Sequence, residues 1–336
     1  MSESLNRRGF LKGSLLAGAA GALGAASAAS AAGAEAKPAP AGQAAPPAPA
    51  AKPPAGEPLP CGKIGKLQIS RMLLGGNLLT HYCHSRDLKY VYNLTAHYNT
   101  DAKVRDTLAL AEQHGINTVS MHNPPAPMEV LRQHRKAGGK IQWIICPISP
   151  VDGDLKAYAE ECRKLVQDDG CEALYVWGVR SDPLIKQGKT DVLAKLVEIG
   201  KDLGVPSGVG CHDLAVVEAC EKEKIPCDFY IKTFHHHKYP SGPKPEQIKG
   251  PYAENPGYWC ADPDRTIEVM AKVEKPWIAF KIMAAGAIPP ANAFPYVINN
   301  GADHALVGMF DFEIADDAAL MRKTLAEAKR TRPWRS

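Results

Sequence analysis

The chain has 336 residues, 40 Lys and Arg against 36 Asp and Glu, and a hydrophobic fraction of 45%. A formal net charge of +4, without any basic cluster interleaved with aromatics, excludes the usual surface of a nucleic-acid-binding protein. The balance is that of an ordinary globular enzyme, too apolar for a disordered chain.

Asn6-Arg7-Arg8-Gly9-Phe10-Leu11-Lys12 stands ahead of a Gly/Ala/Ser/Leu run from Gly13 to about Ala32. Paired arginines before a soft apolar stretch resemble the twin-arginine export signal of bacteria, with Asn6 where Ser or Thr is commoner. The resemblance implies a periplasmic or otherwise extracytoplasmic protein that folds before export, with the twin-arginine translocase as a partner. Ala26-Ser27-Ala28 and Ala32-Gly33-Ala34 offer cleavage places, so residues 1–35 are expected to be signal peptide. Residues 36–60, almost wholly Pro, Ala, Lys and Gly, cannot bury enough apolar area to order, which predicts a disordered linker. The apolar run is too rich in small residues for a permanent span, so no stable membrane segment is expected after cleavage. Residues 61–336 are then left for one folded domain, the usual size of a (β/α)8 barrel.

Past Pro60, short β-branched or apolar runs recur with regularity. They lie at Arg71–Leu74, Asn117–Met121, Ile141–Pro147, Glu172–Trp177, Pro206–Cys211, Phe229–Phe234, Trp277–Met283 and Ala305–Met309. Between them, apolar residues step by three and four, as in Val104-Thr107-Leu108-Ala111 and Val192-Leu196-Ile199-Leu203. Eight strands alternating with helices predict a closed parallel TIM barrel. A doubly wound sheet is the alternative, but Gly75-Gly76-Asn77 lacks the glycine spacing of its phosphate turn. The nine cysteines form no CxxC pair, so neither a disulfide scaffold nor a zinc finger is expected. Cys146, Cys211 and Cys227 sit in or beside apolar runs, where a thiol packs as a small inert hydrophobe.

The segment Lys63-Ile64-Gly65-Lys66-Leu67-Gln68-Ile69-Ser70-Arg71-Met72-Leu73-Leu74-Gly75-Gly76 resembles the opening of the aldo/keto reductases. Similar likenesses are carried by His114 to Val119, Gly208 to Asp213, and Gly301-Ala302-Asp303 through Gly308-Met309. The resemblance implies a barrel whose floor is plugged by an N-terminal β-hairpin. It does not carry the family's chemistry. The Asp, Tyr, Lys and His of the catalytic tetrad correspond to Ser120, Pro125, about Cys146 and about Gly178. Phe310-Asp311-Phe312-Glu313 lies near the place where the family grips a nucleotide phosphate, and acidic groups there disfavour NADP. NAD(P) is therefore only weakly supported as a cofactor.

Barrel chemistry sits at the C-terminal ends of the strands, and side chains alternate along each strand. Taking Ile278, Phe280 and Ile282 as the helix-facing set puts Ala279 and Lys281 inside. Taking Phe229, Ile231 and Thr233 as helix-facing puts Tyr230, Lys232, Phe234 and His236 inside. Val119 and Met121 facing out leave Ser120 and His122 inside. Lys281, Lys232, His122 and His212 are thus the candidate catalytic groups. A depressed amine pKa or a fixed cation for a substrate oxygen is the chemistry such lysines offer, against the plainer reading of a buried ion pair. His122, His212 and His236 could together hold a transition metal, with Asp213 the nearest carboxylate.

Two long loops, Leu78 to Thr100 and Lys238 to Ala261, are expected to cover the mouth. Their aromatic and basic residues suit a polar cyclic ligand, or merely the packing of a rim. Asn77, His81, His84, Trp177, Arg180, His236, Tyr258 and Trp259 are the candidate substrate contacts. The expected function is an exported aldo/keto reductase-like barrel enzyme with a rebuilt site, acting on a carbohydrate or other hydroxy-carbonyl small molecule. The alternatives are a metal-dependent isomerase, epimerase or lyase, and a non-catalytic ligand-binding barrel.

Overall fold

The computed structural model describes residues 57–336; the expected signal peptide and all but the end of the expected linker lie outside the described residues. Cys61–Ile64 (β1) and Leu67–Ser70 (β2) pair as an antiparallel hairpin. Only Gly65 and Lys66 connect them, and Gly65 supplies the left-handed backbone, φ 57°, that so tight a turn needs. Leu59, just before the hairpin, is already buried.

Eight further strands close a parallel barrel. They are β3 (Met72–Gly75), β4 (Thr118–His122), β5 (Gln142–Cys146), β6 (Ala173–Val176), β7 (Ser207–Cys211), β8 (Tyr230–Thr233), β9 (Trp277–Phe280) and β10 (His304–Val307). Each matches an expected run to within a few residues. Helices fill the connections: α1 (Tyr90–Tyr98), α2 (Asp101–Gln113), α3 (Pro125–Lys136), α4 (Lys156–Gln167), α5 (Gly178–Lys186) and α6 (Thr190–Asp202). The set is completed by α7 (Leu214–Lys222), α8 (Pro263–Met270), α9 (Pro290–Asn299) and α10 (Ile314–Ala326). Helix α1 lies inside the stretch expected to be loop, and no described helix is long and apolar enough to cross a membrane.

Two apolar layers flank the barrel wall. Inside, Ile64, Leu67 and Ile69 of the hairpin meet Leu73, Ile144, Ala173, Phe229, Ile231, Ile278 and Leu306. The hairpin therefore plugs the floor, and each of its isoleucines contributes about 1.5–3 kcal/mol by burial. Outside, Met72, Val119, Met121, Trp143, Val209, Tyr230, Phe234, Trp277 and Ala279 pack beneath the helices.

This layering corrects the expected orientation of two strands. Phe229 and Ile231 line the lumen, while Tyr230 and Phe234 face the helices. Lys232 is in register with Cys211 and Ala279, both helix-facing, so it points away from the lumen as well. In β9, Ile278 and Phe280 face inward and Ala279 outward. The physical reason is that both faces of a parallel barrel strand are buried and apolar, so hydrophobicity does not mark its phase. The β4 phase is as expected: Val119 and Met121 lie outside, and Ser120 and His122 turn inward.

Candidate active site

At the C-terminal ends of the strands a cavity of about 390 Å³ opens. Its wall includes Asn77, Tyr82, His84, His122, Trp177, His212, Tyr252, Glu254, Trp259, Phe280 and Lys281. Lys281 reaches it by a route that alternation does not give. Strand β9 ends at Phe280, and Lys281 takes a left-handed backbone, φ 54°, which is rare for a residue with a side chain. That turn breaks the strand's phase and swings the amine into the mouth.

There the Lys281 Nζ donates to His84 Nε2, and His84 Nδ1 donates to Glu254 Oε1. The amine lies 5.3 Å from the ring centre of Trp259 and 5.7 Å from that of Phe280. Dehydration in this wall pushes its pKa down to about 7, against the opposing pull of the Glu254 charge. Burial also lowers His84, more than its bond to Glu254 raises it. Burial would raise Glu254, but the His84 hydrogen bond and the Lys281 and Arg86 charges hold it below the usual carboxylate range.

The second constellation is a dyad. His212 Nδ1 lies 2.8 Å from Asp182 Oδ2, and the same carboxylate accepts the backbone N–H groups of His212 and Asp213 at 3.0 and 3.1 Å. Asp182 comes from the second turn of α5 and fixes the ring at the end of β7. Burial lowers the His212 pKa, only partly offset by Asp182. The neutral ring thus carries its proton on Nδ1 and leaves Nε2 free to accept one. His122 stacks on Trp177, ring centres 5.4 Å apart and planes at 4°, and burial lowers its pKa too.

The cavity brings together Lys281, His122, His212, Asn77, His84, Trp177 and Trp259 of the expected residues. It does not take in the others. Lys232 is buried on the helix side and bonds Thr233 O and Oγ1 at 2.8 and 3.0 Å. His236 packs on Tyr296 of α9, its ring 4.9 Å away. His81 binds Asn99 O at 2.6 Å, Arg180 binds Ile148 O at 3.1 Å, and the Tyr258 hydroxyl accepts from Lys249 N and donates to Gly250 O. Glu254 and Asp182 are the carboxylates bonded to these imidazoles that sequence reasoning did not single out. Neither lies at a strand end, and no local pattern announces which imidazole a carboxylate will reach.

Neither a metal nor the additional phosphate of NADP fits the residues present. The three expected metal ligands do not converge, because His236 is on the helix side; Asp213 is committed to capping α7 through Ala215 N. Among the described residues no group of three or more His, Cys, Asp or Glu side chains could hold a metal ion. At the start of α10, where the family resemblance would put a nucleotide phosphate, Asp316 and Asp317 occupy the first turn, with Asp311 and Glu313 just before it. Burial and the neighbouring Glu313 and Asp316 push Asp317 up to about 6. A site that already crowds carboxylates repels a phosphate. Of the tetrad positions, Ser120 lines the cavity, and burial pushes the Cys146 thiol up to about 12.

Residues 4–24 match the family of TAT (twin-arginine translocation) pathway signal sequences. No curated protein matches the chain in sequence. In structure the chain is similar to aldo-keto reductase AKR11C1 from Bacillus halodurans in its holo form, with 10% identity, 82% of this chain and 98% of that one covered, and a TM-score of 0.52. It is also similar to a protein assigned to the aldo-keto reductases in Pseudomonas aeruginosa, at 20% identity, 81% and 98% coverage and a TM-score of 0.50. At such identities the likeness is one of fold. The chain is therefore an exported protein, a twin-arginine signal sequence followed by a (β/α)8 barrel with the fold of the aldo-keto reductases.

Proposed function

We propose that the barrel is an exported enzyme acting on a small hydroxy-carbonyl compound of the carbohydrate type, with Lys281 as its reactive amine. One observation carries the reading: an amine with a pKa near 7 lies in the same cavity as a carboxylate-oriented imidazole. A lysine of that acidity is about half unprotonated at neutral pH, far more than an ordinary lysine, and its free base is a competent nucleophile toward a carbonyl. The amine attacks the carbonyl carbon and a C–N bond forms; the carbonyl oxygen takes the proton shed by the nitrogen and a second from solvent, and its C–O bond breaks to release water and leave an iminium. His84 accepts from Nζ while bonded to Glu254, so it can take the proton that the attacking nitrogen sheds. Nε2 of His212 can move a proton at the carbon or hydroxyl next to the iminium. Trp177, Tyr82 and Tyr252 supply aromatic faces suited to a sugar-like ligand.

Borohydride trapping tests this. Incubation with dihydroxyacetone, glyceraldehyde or a pentulose and then borohydride should leave a stable adduct on Lys281, located by peptide mapping. The reactive form is the free base, so the yield should rise as pH climbs through about 7 and level off above it. Lys281→Met should abolish the adduct and lower turnover at least about a hundredfold. Labelling confined to other lysines, or full turnover in that variant, refutes the proposal.

A further inference from the structure

Arg86 ties together three loops over the cavity. Its Nη1 donates to Ser241 Oγ at 2.7 Å and Pro256 O at 2.9 Å, and its Nη2 donates to Ala284 O at 3.1 Å and Gly257 O at 3.5 Å. Each loop so joined carries one member of the lysine array. His84 stands two residues before Arg86, Glu254 two before Pro256, and Lys281 three before Ala284. The junction is built tightly. Arg86 has a left-handed backbone at φ 59°, and a Cβ on Gly257 would come within 2.7 Å of the guanidinium carbon. The loop that Ala284 belongs to holds left-handed residues at Lys281, Ala284, Ala285 and Gly286, a conformation that persists only where its surroundings enforce it.

We infer that Arg86 is a positioning residue: it clasps the three mouth loops and so holds Lys281, His84 and Glu254 in their mutual geometry. It acts through them and does not line the cavity itself. A planar fork with five donors in fixed directions serves all four acceptors at once, whereas an ammonium has three donors at a single point and leaves at least one unmet. The groups around the Lys281 amine are His84 from the first loop, Glu254 from the second and His212 from β7, with Arg86 acting on Glu254. Releasing the clasp lets water reach the amine, and its loss of positive charge acts in the same direction. Both raise the acidity midpoint of Lys281 toward that of an ordinary lysine.

The inference rests on the role proposed for Lys281, but its test needs no carbonyl substrate. Hydrogen–deuterium exchange and pH-dependent labelling of Lys281 by trinitrobenzene sulfonate would be followed in the full mature protein. Arg86→Gln should raise exchange in all three loops together. It should also move the labelling midpoint of Lys281 up by about one unit, cutting free amine at pH 7 about fivefold. Arg86→Lys keeps the charge and should behave the same way, and Ser241→Ala, which removes one acceptor, should move both readouts less. Exchange rising only in the loop that carries residue 86, or an Arg86→Lys protein with the wild-type labelling profile, overturns the clasp. Either result can coexist with successful imine trapping, and a failure of trapping leaves these readouts intact.

Discussion

The chemistry of the site depends on single atoms held by groups distant in sequence. Asp182 shows this most plainly, because its carboxylate accepts two backbone N–H groups and the His212 ring at once. Asp182→Asn would place an amide N–H against Nδ1 and favour the tautomer with the proton on Nε2, where it blocks the proposed base. Turnover should fall about 10²- to 10⁴-fold with substrate affinity and Lys281 adduct formation little changed. Steady-state kinetics beside borohydride trapping would check it, and a parallel loss of both would assign Asp182 to folding alone. The candidate residues themselves were partly legible. His212 and His122 were visible because they follow apolar strand runs. Glu254 was not, since it sits in a long loop and only the tertiary fold carries it to His84.

At the scale of elements, strand positions could be read and strand faces could not. Every expected run contains its observed strand or overlaps it, because β-branched runs bounded by turn residues have no other stable use in this chain. Orientation failed for β8 and β9 because apolar layers press on both sides of them. Lys281 nonetheless reaches the cavity, and for a different reason than alternation: the strand stops at Phe280 and the backbone turns left-handed. The floor hairpin was legible through family likeness, and its energetics can be tested. Ile69 is fully buried in the lumen layer, so Ile69→Ala should cost about 2–5 kcal/mol in urea denaturation. A loss below about 1 kcal/mol would mean that the hairpin packs loosely and does not plug the floor.

For the whole molecule, the two ends of the barrel do different work. At the floor end, the segment after α10 docks on Asp303, which is fully buried just before β10 and accepts from Arg332 at 2.6 Å, Arg330 at 3.4 Å, and the backbone N–H groups of Trp277 and Arg335 at 2.9 Å each. Trp334 lies between the guanidinium groups of Arg71 and Arg330, 3.9 and 3.4 Å from its ring centre. Asp303→Asn would leave buried guanidinium charge uncompensated, and urea unfolding should show a loss of about 3–5 kcal/mol. An unchanged midpoint would show that water or another acceptor already neutralises the cluster. The opposite end carries the cavity, with the proposed clasp and the proposed reaction. Sequence alone determined the export signal and the eightfold alternation, because these are written in local residue order. Only the tertiary structure decided which lysine meets which imidazole, because a closed barrel gathers side chains from every strand end, and short-range periodicity holds no record of that gathering.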